Sequence, residues 1–278
     1  MIRPTTVAPG VERFAALTPT LPPATHTNSY ALGTRDVVLV EPATPYEDER
    51  REWVTWARGL VSQGRRLVAL FATHHHADHV GGVSFFREEL GLELWAHERI
   101  ETLSGHAVSR ALVDGDQIVL DGPEPMKLDV LHTPGHASDH LCLYDAASKT
   151  LVVGDMVASV GTILIAPGDG DMLEYLAQLG RLEKLEANVA LPAHGDPIEV
   201  PSRLFRAYQA HRAMREAWIL KAVEQSKGGN LDELVTIAYA DTKPELHPIA
   251  RLSLEAHLLK LEREGRVRRE GDRFVPAA

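Results

Sequence analysis

Residues Leu67–Ala72 read L-V-A-L-F-A, a continuous apolar run, and the chain then turns at once into Thr73-His74-His75-His76-Ala77-Asp78-His79-Val80-Gly81-Gly82. The apolar run predicts a strand buried on both faces. A buried strand that ends in such a polar cluster constrains the fold strongly, because open α/β sheets carry function at the carboxyl ends of their strands. His74 and His76 lie two apart, so an extended or looped backbone points both rings the same way. Asp78 and His79 add an oxygen and a further nitrogen donor. Imidazole and carboxylate at this density suit zinc, then iron or manganese. The spacing is not that of a helical zinc site, where two histidines sit four apart.

Three later apolar runs end in the same chemistry. His132-Thr133-Pro134-Gly135-His136 closes one in a Pro-Gly turn, Val153-Gly154-Asp155 ends another in a carboxylate with its glycine expected to leave space beside an ion, and Pro192-Ala193-His194-Gly195 ends a third. All would lie along one edge of the sheets. His75, between two candidate ligands, is expected to face away, and His132 to be a strand residue or an outer partner of a ligand. His97, His106 and His140 are expected at the surface. Cys142, the sole cysteine, reads as a small core residue. Asp139 is expected either to orient His136 or His194 or to sit in an exposed turn.

Strands are predicted at Val11–Ala16, Thr27–Leu32, Val37–Glu41, Glu93–Ala96, Gln117–Leu120, Leu128–Leu131, Leu141–Tyr144, Leu151–Val153 and Ala190–Pro192. Helices are predicted at Tyr46–Gln63, at Val80–Leu90 and at Asp171–Glu186, the last with a stripe of Leu173, Leu176, Leu179, Leu182 and Leu185. From Pro201-Ser202 the character changes: a long helix capped by Ser202 and ended near Gly228-Gly229, a helix capped by Asn230, a helix over His247–Glu264, and a hairpin around Glu270-Gly271-Asp272. That is the outline of a winged helix. The expected domains are 1–200 and 201–278.

The H-x-H-x-D-H run followed by His136, Asp155 and His194 resembles the metallo-β-lactamase superfamily. That resemblance implies an α/β (α+β) fold: a four-layer αββα sandwich followed by the small helical domain. It further implies two Zn²⁺ ions (iron or manganese being possible), with His74, His76 and His136 on the first, Asp78, His79 and His194 on the second, and Asp155 bridging. Asp78 and Asp155 would then serve catalysis, with a water shared by two ions brought to a pKa near ~7. The bridging aspartate and the lack of a cysteine ligand make β-lactam hydrolysis the weaker expectation. The tail segments His211-Arg212-Ala213-Met214-Arg215-Glu216, Leu231–Val235 and His257–Gly265 resemble the β-lactamase-like protein 2 family. This implies an endoribonuclease acting on single-stranded RNA, the alternative being a glyoxalase II-like thioesterase or lactonase on a small acyl substrate.

The net charge of −10 argues against an overall polyanion-binding surface, but it divides as −13 over 1–200 and +3 over 201–278. Phosphate contacts are therefore sought in the tail, where Arg203, Arg206, Arg212, Arg215, Arg263, Arg266, Arg268, Arg269 and Arg273 are candidates, Arg212, Arg215 and Arg268 foremost. Interspersed Glu216, Glu262, Glu264 and Glu270 favour a solvated face instead. No apolar run reaches membrane-spanning length, and the N-terminus lacks a signal or transit pattern, so the expected setting is the cytoplasm. Oligomeric state is left open.

Overall fold

The computed structural model describes residues 3–277. The chain forms two compact units. The first comprises the chain up to Thr133, Asp139–Thr162 and Leu185–Pro201; the second comprises Pro134–Ser138, Ile163–Lys184 and the chain from Ser202 on. The division is thus not one cut near residue 200. Local bonds hold the two early segments to the second unit: Asp171 N–H donates to Gly135 carbonyl at 2.8 Å, and the Arg212 guanidinium donates to Ile163 carbonyl.

In the first unit a seven-stranded sheet runs β1 (Thr5–Ala8), β2 (Val11–Leu17), β3 (His26–Leu32), β4 (Asp36–Val40), β5 (Arg66–Phe71), β6 (Leu94–Ala96) and β7 (Arg110–Ala111) in spatial order. β1 to β4 are antiparallel neighbours, and β4 to β7 are parallel. A second sheet holds β8 (Gln117–Leu120), β9 (Met126–His132), β10 (Leu141–Asp145), β11 (Thr150–Gly154) and β12 (Val189–Pro192), in the order β12-β11-β10-β9-β8. Only β11 and β12 pair in parallel there.

Alternate residues decide which layer each strand feeds. Val38, Val40, Ala69 and Phe71 join Ile118, Val130, Leu141, Leu143, Val152 and Leu191 in a core between the sheets. Their neighbours Val37, Leu39, Leu70 and Ala72 face the opposite side and pack on helices α1 (Glu47–Ser62) and α3 (Val83–Leu90). Trp53 anchors that layer, stacked on Phe86 at 4.0 Å between ring centroids, its indole N–H donating to Ser29 Oγ at 2.8 Å. α1 begins with Glu47, Asp48 and Glu49, charges that suit the positive end of a helix dipole.

The single helix expected over Val80–Leu90 is instead two, α2 (Ala77–Val80) and α3. The break falls at Gly81-Gly82. A Cβ on Gly81 would meet Ala77 O at 2.6 Å and Ala43 O at 2.9 Å, and one on Gly82 would meet Thr44 O at 2.7 Å. Those glycines let the metal-motif loop lie directly against the segment leaving β4. A further short helix, α4 (Ile100–Ser104), and the strands β1 and β7 lack enough periodicity to be read from sequence.

The second unit contains α5 (Met172–Glu183), α6 (Pro201–Gln225), α7 (Leu231–Ala238), α8 (His247–Arg263) and the hairpin β13 (Val267–Glu270) with β14 (Arg273–Pro276). Ile219, Val223, Leu234, Leu254, Leu258, Leu261, Val267 and Phe274 form its core. Asn230 caps α7 in a full capping box with Glu233, satisfying two backbone donors. Ser202 lies inside α6 rather than capping it, since Pro201 already suits a first helical position, where no N–H is needed. In α5 the buried residues are Met172, Tyr175, Leu179 and Leu182, whereas Leu173 is exposed. Leucines at every third position drift around a helix of 3.6 residues per turn, so the expected stripe is not one face. Among the described residues no helix is long and apolar enough to cross a membrane.

Candidate metal centre

The motif loop leaves β5 and is held from below by a carboxylate. Glu41 follows β4 with φ 57°, a conformation that non-glycine residues adopt at a cost. It is buried. Thr73 Oγ1 donates to Glu41 Oε1 at 2.6 Å, and Thr73 N–H donates to Glu41 Oε2 at 3.3 Å. His79 Nδ1 lies 3.1 Å from Glu41 Oε1. With Nδ1 facing the carboxylate, His79 presents Nε2 to the centre of the loop.

Neighbouring histidines are fixed in the same manner, one nitrogen on the protein and one turned to the site. His74 Nδ1 lies 2.9 Å from Thr73 Oγ1, and its Nε2 faces His76 Nδ1 at 2.9 Å. His194 Nδ1–H donates to His26 carbonyl at 2.9 Å. His194 Nε2 then stands 3.5 Å from Asp78 Oδ2 and 3.4 Å from Asp155 Oδ1. His79 Nε2 is 3.8 Å from Asp78 Oδ2 and 3.7 Å from Asp155 Oδ2. Within the first unit, donor atoms of His74, His79 and Asp155 lie within 4.8 Å of one another, as do those of Asp78, His79 and His194.

The two His79 spacings fit a shared ion better than hydrogen bonds. A nitrogen–oxygen separation beyond 3.5 Å is too long for a hydrogen bond. Two ligands of one tetrahedral zinc, with bonds of ~2.0–2.1 Å, stand ~3.3–3.4 Å apart. His79 Nε2 is buried with no hydrogen-bond partner among the described residues, and it faces two carboxylates.

The charges agree. Burial alone would discharge His79, but Glu41, Asp78 and Asp155 hold its ring well above the ordinary histidine range. Burial likewise opposes a charge on Asp155, and His194 and His79 overcome it, holding that carboxyl well below the usual range. Burial works against Asp78 too, and His79 brings it down. The site draws positive charge toward its centre. Protons on the imidazoles supply it, and a divalent cation would supply it in their place.

His136 lies on the Pro134–Ser138 segment of the second unit, where its Nδ1 bonds Leu164 carbonyl at 2.8 Å. Gly135 before it has φ 138°, and a Cβ there would meet Tyr175 N at 2.4 Å, so only glycine allows this turn.

Three expectations change. His140 is buried, not superficial: its Nδ1 bonds Thr133 Oγ1 at 2.8 Å, and its Nε2 accepts the Asp155 backbone N–H at 3.1 Å. It therefore positions the aspartate. Gly154 does not open space for an ion; a Cβ there would meet His140 Nε2 at 2.5 Å and Thr73 Cβ at 3.0 Å. Asp139 is buried rather than set in an exposed turn, and its Oδ1 lies 2.9 Å from His75 Nδ1. The His75 ring lies 4.7 Å from that of His76 and 6.3 Å from that of His74. His132 stacks with His97 at 4.8 Å between centroids, and Cys142 is a buried core thiol.

The tail arginines are largely engaged within the second unit. Arg215 makes a two-pronged pair with Asp241 at 2.8 and 2.9 Å between Trp218 and Tyr239, each 4.6 Å from the ring centroid. Arg212 is buried, held by Ser253 Oγ at 3.4 Å and Ile163 carbonyl. Arg263 pairs with Asp171, Arg266 with Glu216 and Arg273 with Glu233. Arg268 is exposed and lies 2.9 Å from Glu270.

Comparison with known proteins agrees with this architecture. Residues 22–194 match the Metallo-beta-lactamase superfamily, and residues 231–274 match the Beta-lactamase associated winged helix domain. A Beta-lactamase-like protein 2 homolog of Drosophila melanogaster is 28% identical over 262 residues, covering 87% of this chain and 84% of the relative. An atrochrysone carboxyl ACP thioesterase of Aspergillus fumigatus is 28% identical over 201 residues, covering 71% of this chain and 60% of the relative. Among solved structures, a beta-lactamase domain protein from Burkholderia ambifaria superimposes with TM-score 0.83 at 22% identity, covering 99% of this chain and 93% of the other. A metallo-beta-lactamase family protein from Thermus thermophilus gives TM-score 0.78 at 24% identity, covering 97% and 99%. This chain belongs to the metallo-β-lactamase superfamily and carries a β-lactamase-associated winged-helix domain after its metal-motif fold.

Proposed function

We propose that the chain is a two-metal hydrolase, with Asp78, His79 and His194 holding one ion, His74, His76 and His136 the other, and Asp155 shared. The observation that carries this reading is the spacing around His79 and His194: their Nε2 atoms stand 3.4 to 3.8 Å from carboxylate oxygens of Asp78 and Asp155 in a buried, negatively charged setting. Zinc suits the donor set best, with iron or manganese as substitutes. When bound, the ions supply an acidified water and polarise the substrate oxygen.

The chain's own residues supply the order. Glu41 and Thr73 hold His79 and His74, His26 carbonyl holds His194, and His140 holds the backbone of Asp155. Asp78 and Asp155 would help hold the ions through oxygens near His79 and His194, and a carboxylate oxygen left free could accept a proton from the attacking water.

For the substrate, our reading is the phosphodiester backbone of single-stranded RNA. It is supported by the winged-helix module and by the likeness to β-lactamase-like protein 2 homologues over most of both chains. A thioester reading has two supports of its own: a relative named as an ACP thioesterase, and the pairing of the tail arginines, which leaves fewer cations for phosphates. Assays of the zinc-loaded chain against a single-stranded RNA oligonucleotide and against lactoylglutathione separate the two. Cleaved RNA without thioester turnover is the expected result; the reverse would establish the thioesterase. Asp78→Ala should abolish the activity that is found, and an unchanged rate would contradict the site.

A further inference from the structure

Arg212 is a buried cation that pairs with no carboxylate among the described residues. Its guanidinium rests on neutral oxygens instead, Ser253 Oγ at 3.4 Å and the Ile163 carbonyl. A buried ion without a counter-charge is costly, so what this one holds matters. Ile163 and Ile165 are buried, yet the backbone around them is neither helix nor strand, and no ladder fixes its carbonyls. The next carbonyl, that of Leu164, accepts the His136 Nδ1–H at 2.8 Å. That bond leaves Nε2 as the lone-pair nitrogen of the neutral ring. Because each peptide is planar, only the φ and ψ of Leu164 separate the two carbonyls. Fixing the first restricts the second.

The same guanidinium lies 5.6 Å from the Tyr175 ring centroid, within cation–π range. Tyr175 also supports the His136 turn, since a Cβ on Gly135 would lie 2.4 Å from its backbone nitrogen. Arg212 thus touches both supports of that turn, and all of these residues belong to the second unit. We infer that Arg212 is a positioning residue for His136: it holds the Ile163–Leu164 backbone, whose Leu164 carbonyl sets the ring's tautomer and direction. The consequence for metal rests on the two-metal reading above. It should be confined to one ion, because His136 belongs to the set proposed for the first ion alone.

Arg212→Met removes the donors and keeps an unbranched stem. Ser253→Ala removes the other hydrogen-bond partner of Arg212 and leaves its bond to Ile163. Nitrogen NMR of the imidazoles in the metal-free full-length protein, at alkaline pH where the rings are neutral, reports the His136 tautomer. Wild type and Ser253→Ala should show Nδ1–H alone, and Arg212→Met a mixture with Nε2–H. Calorimetric titration of the same proteins with cobalt(II) gives an affinity for each ion. In Arg212→Met one should fall about 10-fold, the lower end of what partners that orient a ligand contribute, while the other keeps its wild-type value. A wild-type tautomer, unchanged affinities or an equal fall in both affinities in Arg212→Met overturns the inference. Equal impairment of Ser253→Ala also overturns it, since packing of α6 on α8 would then be the cause. Should Arg212→Met not fold, Arg212→Lys, which keeps the charge and loses the planar fork, is held to the same outcomes. Failure of both to fold overturns it, because Arg212 would then serve the fold as a whole. Uptake of fewer than two ions by wild type overturns the two-metal reading, and the tautomer alone then decides the role of Arg212.

Discussion

Glu41 is a buried carboxylate on a strained backbone, bonded to Thr73 and facing His79, so its charge serves the metal-motif loop. Replacing it by glutamine keeps the shape and removes the charge. Glu41→Gln should weaken zinc binding ~10–100-fold, measured by competition with a chromophoric chelator; wild-type affinity would show that Glu41 only packs. The four clusters at His74–His79, His136, Asp155 and His194 are legible in sequence because each closes an apolar run with a donor side chain. Glu41 obeys the same rule, closing V-V-L-V, and that signal could have found it. His140 is not legible: it acts through a backbone N–H fifteen residues away, a contact that exists only once β10 and β11 pair.

At the scale of elements, the amphipathic helices and buried strands follow from apolar periodicity, and their ends from capping residues and glycines. The misreadings have two causes: sequence spacing does not register tertiary approach, and a repeat of three does not follow one helical face. Gly81-Gly82 interrupts a helical pattern because neighbouring backbone comes too close for a Cβ. In α5 the leucine repeat of three suggests a stripe, but the buried set is Met172, Tyr175, Leu179 and Leu182. Leu179→Ala should therefore cost ~2–5 kcal/mol, while exposed Leu173→Ala should stay within ~0.5 kcal/mol. Denaturant unfolding of both variants checks this register, and equal costs would contradict it. Trp53→Ala, which empties the layer between α1 and the first sheet, should cost ~3–5 kcal/mol by the same measurement.

Across the whole molecule, charge separates what composition suggests from what the fold does with it. The +3 tail is where phosphate contacts are sought, yet its arginines mostly close ion pairs inside their own unit. Pairing of this kind depends on which carboxylates the fold brings near, so counting charges could not show it. Glu216 is the clearest case. Burial raises its carboxyl, but His257, 3.7 Å away, and the Lys260 ammonium, which donates at 2.7 Å, prevail and bring it down to about 2, from an ordinary 4.5. A carboxyl lowered on folding stabilises above its unfolded value and loses that contribution as pH falls through the folded one. Stability should therefore fall between pH 4.5 and about 2, less steeply in Glu216→Gln than in wild type. Parallel pH profiles of unfolding would contradict the pairing.

The two-metal centre is what the remaining chemistry depends on, and anomalous diffraction at the zinc edge from crystals of the zinc-loaded protein tests it most directly. Two peaks ~3.5–4 Å apart are predicted, one within ~2.0–2.2 Å of donor atoms of Asp78, His79 and His194, with Asp155 touching both. A single peak, or peaks away from those side chains, would contradict it.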